Sequence, residues 1–374
     1  LHLLSRRQRQ MSIRDRYIRF DSNGYCNYCN KAIENLNKIC NDKKKTIQLA
    51  EIIHTIKRDG IGHDYDCLMG ISGGLDSAYL AYVGAKKWGL RICAVHIDDG
   101  FDTDMAVQNI KRICNHCNIK LITIKPDKEQ YLNLIRAFIR AEVPNIAIPQ
   151  DNILLAILYQ YAQKHNIKYF LSGSNLSLES IIQRGNTYTN TDVYHIKAIN
   201  RRFGEGKIDK LPLISMHKIR IMSKFFNIKT LALLNYIDYN KKDAIAELEK
   251  ACGFEYYKAK HLENVLTKVI QLKWFAEKFK VDKRKSHLSS LIVSGQMTRE
   301  DALLELEKPM YDEVEMKEDI NRVLSELNIS ETEFNNLLKR QGVQHSEYPR
   351  DPIWRFHVFL YRYFYTPIRQ YLKK

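Results

Sequence analysis

A six-residue loop with two glycines, two serines and one carboxylate is the segment of this sequence best suited to chemistry. It follows a buried-strand pattern and opens a helix pattern. Glycine lets the backbone approach an anion closely, and the first turn of a helix presents free N–H groups and the positive end of its dipole. A tight turn whose Asp or Ser caps the helix is the structural alternative. We predict a phosphate-binding loop made of Ser72, Gly73, Gly74, Leu75, Asp76 and Ser77.

Three polar side chains of this loop are the candidate catalytic residues: Ser72, Asp76 and Ser77. The serines supply hydroxyl donors to a phosphate. A carboxylate beside a phosphate requires Mg²⁺ or a proton between them, because two anions repel each other. The loop therefore predicts a site for a nucleotide and Mg²⁺.

Two more turns with polar residues follow predicted strands. One contains His96, Asp98 and Gly100, and the other contains Ser172, Gly173 and Asn175. In a parallel sheet the carboxyl ends of the strands share one edge, where ligands bind. We predict that both turns contact the nucleotide. An ordinary surface turn and an ordinary helix start are the respective alternatives.

Alternating strand and helix patterns position these loops. Such alternation predicts an α/β fold, with a parallel sheet carrying helices on both faces and a mostly helical C-terminal region. We predict a small Cys-containing module over residues 1–60, the loop domain over 61–240, and a helical substrate or partner domain over 241–374. The predicted strands are Tyr65–Ile71, Arg91–Ile97, Leu121–Ile124 and Tyr169–Ser172, and the helices between them include Asp76–Trp88, 103–117, Lys128–Ala141 and Asp151–His165.

The motif SGGLDS resembles the PP-loop of the N-type ATP-pyrophosphatases. The resemblance implies an adenine nucleotide alpha hydrolase-like fold and cleavage of ATP to AMP and pyrophosphate. No GK[ST] follows the glycines, so the loop is not a Walker loop and kinase or GTPase chemistry is disfavoured.

The remaining motifs resemble the N-acetyl sugar amidotransferases of bacterial surface-polysaccharide pathways. The most specific is the stretch of residues 282–300, DKRKSHLSSLIVSGQMTRE; Gly24–Cys29, Gln150–Asn152 and Arg202–Gly204 also match. The resemblance implies an enzyme of lipopolysaccharide O-antigen or related glycan synthesis that turns an acetamido group of a nucleotide-linked sugar into an acetamidino group. It also implies substrate-binding residues, for which a solvated basic surface is the alternative at the cationic positions: Lys260, His261, Lys283, Arg284 and His287.

The nitrogen source is predicted to lie outside this chain. The sequence has no Gly-x-Cys-x-Gly elbow and no N-terminal nucleophilic Cys, so we expect no glutaminase activity of its own. The resemblance implies a separate glutaminase and a cyclase-like barrel subunit, of the histidine-biosynthesis type, that supply ammonia directly.

Cys26 and Cys29 have the spacing of metal ligands, but two thiols do not complete a tetrahedral zinc site. The family carries an earlier Cys-x2-Cys pair where this sequence has Arg6 and Arg9. Zinc bound by Cys26 and Cys29 is therefore one of two open interpretations, and a pair of reduced thiols is the other. Cys114 and Cys117 share one helix face, which favours reduced core thiols.

Charge and hydropathy restrict the remaining partners. Of the net charge of +16, residues 1–60 carry +7 and residues 350–374 carry +5. Because most of the net positive charge lies near the two ends of the sequence and not around the central loops, we predict no specific nucleic-acid partner. The aromatic, basic tail of residues 353–374 is interpreted either as a peripheral membrane contact or as a helix docked on the core. We see no signal peptide or membrane-spanning run and expect a cytoplasmic protein.

Two rival functions stay open at this stage. A tRNA-modifying PP-loop enzyme, of the thiolation or lysidine type, would suit the positive charge and two Cys-x2-Cys pairs able to hold an iron–sulfur cluster. A catalytically idle binding subunit of a glycan-assembly complex is the third interpretation, which the intact SGGLDS motif disfavours.

Overall fold

Five parallel strands form the centre of the protein. The computed structural model describes residues 18–39, 42–182, 187–257, 262–353 and 356. The strands lie in the order β3-β2-β1-β4-β5. They are β1 (Cys67–Gly70), β2 (Ile92–Ile97), β3 (Lys120–Ile124), β4 (Tyr169–Leu171) and β5 (Lys229–Leu231).

The central strand β1 sets the position of the phosphate loop. Met69 pairs with Ala94 of β2 and with Leu171 of β4, both in parallel. Strands buried on both faces read as continuous apolar runs, because helices cover each side of a parallel sheet. Because β2 and β4 lie on either side of β1 and run parallel to it, the loops after these three strands emerge side by side at the carboxyl end of the sheet.

Helices cover both faces of the sheet and make up most of the C-terminal region. In chain order they are α1 (Asn27–Ile39), α2 (Asp42–Asp59), α3 (Leu75–Tyr82), α4 (Asp104–Cys117), α5 (Lys128–Arg140), α6 (Ile148–Lys164), α7 (Leu176–Glu179), α8 (Val193–Phe203), α9 (Met216–Phe225), α10 (Lys241–Cys252), α11 (Val265–Val269), α12 (Arg284–Val293), α13 (Arg299–Glu307), α14 (Glu313–Leu327) and α15 (Glu331–Lys339). π-helical turns extend α3 over Val83–Lys87 and α11 over Ile270–Lys278, and short 3₁₀ helices lie at Leu233–Tyr236 and His345–Glu347.

Two hydrophobic cores lie on the two faces of the sheet. Alternate residues of a strand point to opposite faces, so Leu68 enters one core and Met69 the other. The first core also holds Phe138 and Trp274, and the second holds Leu248. The C-terminal helices contribute to both cores and so pack directly on the loop domain.

The predicted fold class is confirmed. All four predicted strands exist, with each bound shifted by at most two residues, whereas β5 was missed. This strand was not predicted because Lys229 and Thr230 are exposed, so the sequence of β5 has no apolar run. The division at residues 60 and 240 stays a prediction. No helix of the described part of the chain is long and apolar enough to cross a membrane.

Candidate functional site

The predicted phosphate loop joins β1 to α3. Gly73 has a φ of +78°, and a Cβ there would collide with the backbone of Ala106. Only glycine meets both conditions without strain. Gly74 is the extended N-cap residue of α3 and has no side chain to bond the first amides. The local sequence thus builds a turn whose helix start faces outward.

The two serine hydroxyls of the loop lie together. Ser77 Oγ accepts from the backbone N–H of Ser72 at 3.4 Å and donates to the Gly74 carbonyl at 3.1 Å. The Oγ atoms of Ser72 and Ser77 are 3.3 Å apart. Both hydroxyls therefore line the concave side of the loop, where they can donate to an anion.

The turn after β4 packs against this loop. A Cβ at Gly173 would lie 3.3 Å from the backbone nitrogen of Ser77, so glycine permits the close approach. Ser172 Oγ donates to Ser174 Oγ at 3.0 Å. Asn175 is 3% exposed and caps α7, since its Oδ1 accepts from Leu178 N–H at 2.8 Å. Ser172 and Gly173 thus face the loop, whereas Asn175 holds a helix start.

A cavity of about 240 Å³, called the first cavity below, connects these parts. The loop and the β4 turn form its floor, and residues from beyond position 240 form its walls, among them the predicted His287. Its lining is Ser72, Gly74, Leu75, Asp76, Ser77, Ser172, Gly173, Ser174, Leu178, Glu179, Lys241, Tyr256, Tyr257, Glu263, His287 and Leu291.

Three side chains from later in the chain bond directly to the loop. Glu263 Oε1 accepts from Ser72 Oγ at 3.1 Å, and Tyr257 Oη accepts from the backbone N–H of Leu75 at 3.2 Å. Tyr239 donates to Asp76 Oδ1 at 2.6 Å. Burial raises the pKa of Tyr239 far above its usual range, so this hydroxyl remains a donor. None of the three was predicted as a site residue, although Glu263 belongs, with Lys260 and His261, to the segments that carry the family resemblance.

The charges of the first cavity fit a divalent cation. Three carboxylates line it, from Asp76, Glu179 and Glu263. Glu263 Oε2 is buried and has no hydrogen-bond partner in the described chain. Mg²⁺ is held in nucleotide sites by one or two carboxylates together with phosphate oxygens. Asp76 and Glu263 are the residues that would hold it here.

A second cavity, of about 320 Å³, lies beside the ends of β2 and β3. His96 lies at its base, with Nδ1 3.1 Å from the Ile71 carbonyl and Nε2 3.1 Å from Asp102 Oδ2. Burial disfavours the charged imidazole, but the Asp102 carboxylate outweighs it, and the pKa of His96 is raised. A protonated His96 would donate to the Ile71 carbonyl and form an ion pair with Asp102, which would tie the residue before the phosphate loop to Asp102.

The other predicted residues of this turn also line the second cavity. Asp98 pairs with Lys125 at 2.9 Å and accepts from the backbone N–H of Gly100 at 3.2 Å. The Lys125 contact helps to hold the pKa of Asp98 below its usual range. Asp99, between them, is buried and accepts from Tyr131 Oη at 2.7 Å. The turn is thus held by charged contacts together with Gly100, whose φ is +89°.

The predicted substrate-binding residues fall into three groups. His287 lines the first cavity, whereas Lys260 and His261 lie outside the described residues. Neither Lys283 nor Arg284 lines either cavity. The Lys283 ammonium lies 4.7 Å from the centre of the Phe275 ring, and burial lowers its pKa. The Arg284 guanidinium bonds the Asp282 carboxylate at 3.0 Å and the Lys308 carbonyl at 2.9 Å.

The thiols of Cys26 and Cys29 lie 3.4 Å apart. The hydrogen bond from Cys29 lowers the pKa of Cys26 to about 6. Across the described ranges, no group of three or more His, Cys, Asp and Glu side chains is placed to hold a metal. Because a structural zinc ion takes four ligands, these two thiols alone do not fit zinc.

Cys114 and Cys117 lie in α4, buried in the core. Burial raises the pKa of Cys114 to about 12 and that of Cys117 to about 11. Their burial in the second core agrees with the interpretation as reduced core thiols.

Two protein families match this chain. Residues 66–254, half of the chain, match the family described as queuosine biosynthesis protein QueC. Residues 263–361 match the family described as LPS biosynthesis protein WbpG-like, C-terminal domain. The segment between the two matches contains Tyr257, and Glu263 opens the second match.

Similar proteins include the uncharacterized protein MJ1599 of Methanocaldococcus jannaschii. It is 22% identical over 283 residues, which are 75% of this chain and 86% of that protein. Among solved structures, NMN synthetase from Francisella tularensis is 17% identical and has a TM-score of 0.28, with coverage of 72% of this chain and 92% of that chain. The NH3-dependent NAD synthetase from Campylobacter jejuni is 17% identical with a TM-score of 0.30, covering 72% and 99%.

Proposed function

Because this chain belongs to the QueC family of PP-loop proteins and has a WbpG-like C-terminal domain, we propose that it aminates a sugar acetamido group. The substrate would be a nucleotide-linked N-acetyl sugar, and the product its acetamidino derivative, for lipopolysaccharide or related glycan synthesis. ATP would supply the activating AMP group.

The observation that carries this proposal is the composition of the first cavity. The phosphate loop forms one side, and Glu263, His287 and Leu291, all within the WbpG-like match, form another. A sugar held by the C-terminal region would therefore meet the α-phosphate of an ATP whose pyrophosphate lies on the loop. Positioning two reactants together in this way contributes a large part of catalysis.

The reaction balances in two steps. The amide oxygen attacks the α-phosphorus of ATP, pyrophosphate leaves, and the carbon carries an O-adenylyl imidate. Ammonia then adds to that carbon, its nitrogen loses a proton, and the C–O bond breaks as AMP leaves. Activation is needed because the amide nitrogen donates electrons into its carbonyl, which makes the carbon a poor electrophile.

Loop residues would stabilise the departing pyrophosphate. The Ser72 and Ser77 hydroxyls and the start of α3 place donors on one concave surface, and donors fixed where charge develops need no reorganisation during the reaction. Tyr239 orients the Asp76 carboxylate. Bound Mg²⁺ would neutralise phosphate charge, with Asp76 and Glu263 as its protein ligands. The second cavity, beside the β2 turn, would accommodate the nucleoside.

Ammonia would come from a separate glutaminase acting through a cyclase-like barrel subunit, in the cytoplasm. The support is the sequence, which lacks a glutaminase elbow. The isolated chain should therefore use ammonium and not glutamine. Its activity with ammonium should rise with pH, because the free base is the nucleophile.

The test is an incubation with ATP, Mg²⁺, ammonium and a panel of nucleotide-linked N-acetyl sugars. We expect AMP, pyrophosphate and a sugar in which NH replaces one oxygen, detected by mass spectrometry. ADP and orthophosphate as the main products would refute the class of reaction. Pyrophosphate release stimulated by tRNA and not by any sugar would favour the tRNA-modifying alternative. Against that alternative, Cys114 and Cys117 are buried in α4, away from the first-cavity lining.

A further inference from the structure

The amino-terminal end of the sheet, opposite both cavities, carries exposed apolar side chains. Ile61 is 76% exposed and Phe225 is 75% exposed, which makes them the two most exposed large hydrophobic residues in the described part of the chain. Phe226, next to Phe225, is 42% exposed. Isolated exposed apolar residues are common, but contiguous ones mark interaction surfaces.

Three loops at this end of the sheet carry these residues. Ile61 lies between α2 and β1, residues 165–168 precede β4, and Phe225 and Phe226 precede β5. Since β4 lies between β1 and β5, the outer two strands are about 10 Å apart. We call the surface formed by residues 57–64, 164–168 and 224–229 the basal face.

Contacts between the loops fix this arrangement. Tyr169 Oη donates to Asp59 Oδ2 at 2.7 Å, which joins the end of α2 to the start of β4. The backbone N–H of Lys229 donates to the Lys168 carbonyl at 2.8 Å, which joins β5 to the same loop. The basal face is therefore a fixed surface rather than three independent loops.

Basic residues surround the apolar ones. The basal face contains two carboxylates, and one of them, Asp59, already pairs with Arg58 at 3.1 Å. Lys164, Lys224 and Lys229 form no ion pair with any residue that the structure describes. The cations are Lys57, Arg58, Lys164, Lys168, Lys224 and Lys229.

We propose that the basal face docks on an anionic lipid bilayer. Ile61, Phe225 and Phe226 would enter the headgroup region while the lysines contact lipid phosphates, as in other interfacial segments that combine apolar and basic groups. Protruding apolar side chains flanked by cations suit a bilayer better than they suit RNA, which offers phosphates and no apolar interior. In this orientation the carboxyl end of the sheet, with both cavities, faces away from the membrane and stays open to substrates.

Vesicle flotation of the full chain tests the proposal. We expect binding to vesicles of phosphatidylcholine with phosphatidylglycerol, weaker binding at high salt, and little binding to phosphatidylcholine alone. The double variant Ile61→Ser/Phe225→Ser should bind at least about tenfold more weakly. Lys164→Glu/Lys224→Glu should weaken binding about fivefold or more per reversed charge.

The matched control is Leu304→Ser/Val314→Ser, at residues 61% and 70% exposed on the C-terminal helices. It should bind vesicles like the unmodified chain. All three variants should form AMP from ATP in solution at the unmodified rate, so the proposal stands or falls independently of the sugar chemistry. Equal binding by the basal variants and the unmodified chain would overturn it, as would failure of the unmodified chain to bind anionic vesicles. A basic face that binds only RNA or an acidic protein would count against it equally.

Discussion

The two cavities at the carboxyl end of the sheet differ in how their polar groups are used. In the first cavity, the glycines and hydroxyls of the loop face an open space, and Glu263 Oε2 is buried with neither a hydrogen bond nor an ion pair among the described residues. In the second, charged groups are already paired, His96 with Asp102 and Asp98 with Lys125.

Under the proposed function, the first cavity would change charge during the reaction and the second would keep its charge. A buried carboxylate oxygen without a partner gains most when a cation arrives, because a buried polar group without a partner is costly. Paired charges gain little from a new ligand, so they serve to hold shape. We therefore expect substitutions in the first cavity to change turnover, and those in the second to change stability or affinity.

The largest effect is expected from Asp76→Ala. Loss of this carboxylate removes a proposed Mg²⁺ ligand beside the phosphate loop, and turnover should fall on the order of a hundredfold to a thousandfold. The measurement is pyrophosphate release, with circular dichroism to confirm folding. Tyr239→Phe is the matched control: it keeps the ring, loses only the bond to Asp76, and should reduce turnover by about tenfold. Unchanged turnover in Asp76→Ala would remove the contrast between the cavities.

Asp102→Asn should act on stability instead. The pKa of His96 is raised in the folded chain. The ion pair of His96 with Asp102 therefore contributes its full stability below the unfolded histidine pKa of about 6.5. This contribution is lost as the pH rises through the folded pKa. The variant should lose about 1–3 kcal/mol of unfolding free energy below that pH. The loss should shrink in alkaline solution. Urea unfolding at several pH values measures it, and a loss independent of pH would contradict the charged pair.

A smaller effect is expected from Asp98→Ala. Its ion pair with Lys125 is partly solvent-exposed, and such pairs contribute little to stability. If the β2 turn contacts the nucleoside, the KM for ATP should rise about twofold to tenfold while kcat stays unchanged. Asp209→Ala is the control, since this carboxylate bonds Gln130 and lines neither cavity. An unchanged KM would make the second cavity purely structural.

The smallest effect on catalysis is expected from Cys29→Ala. The Cys29 hydrogen bond lowers the pKa of Cys26 to about 6, so the variant should titrate nearer to an ordinary thiol, as followed by thiolate ultraviolet absorbance. The contribution of the Cys26 thiolate to folding stability is present above the ordinary thiol pKa, and it is lost as the pH falls through about 6. AMP formation should not change. Stoichiometric zinc in the unmodified chain, absent from the variant, would mean that ligands outside the described residues complete a metal site.

Much of the first cavity was predictable because its floor is local in sequence. SGGLDS and the strand before it specify a strand, a turn and a helix start through neighbouring residues, and the apolar runs of β1, β2 and β4 place their ends at one edge. The predicted Lys283 and Arg284 show the limit. A basic pair in a specific motif does not reveal that one cation packs on Phe275 and the other bonds Asp282.

The sequence by itself determined the parallel sheet, the glycine turn between β1 and α3, and the family, because these depend on hydrophobic periodicity, glycine conformation and contiguous motifs. Only the tertiary structure decided which distant side chains reach the loop. Tyr239, Tyr257 and Glu263 lie far along the chain from it, and nothing local marks the two tyrosines. Their contacts depend on how the helices beyond residue 240 pack on both faces of the sheet. That packing is a cooperative property of two cores rather than of any one segment.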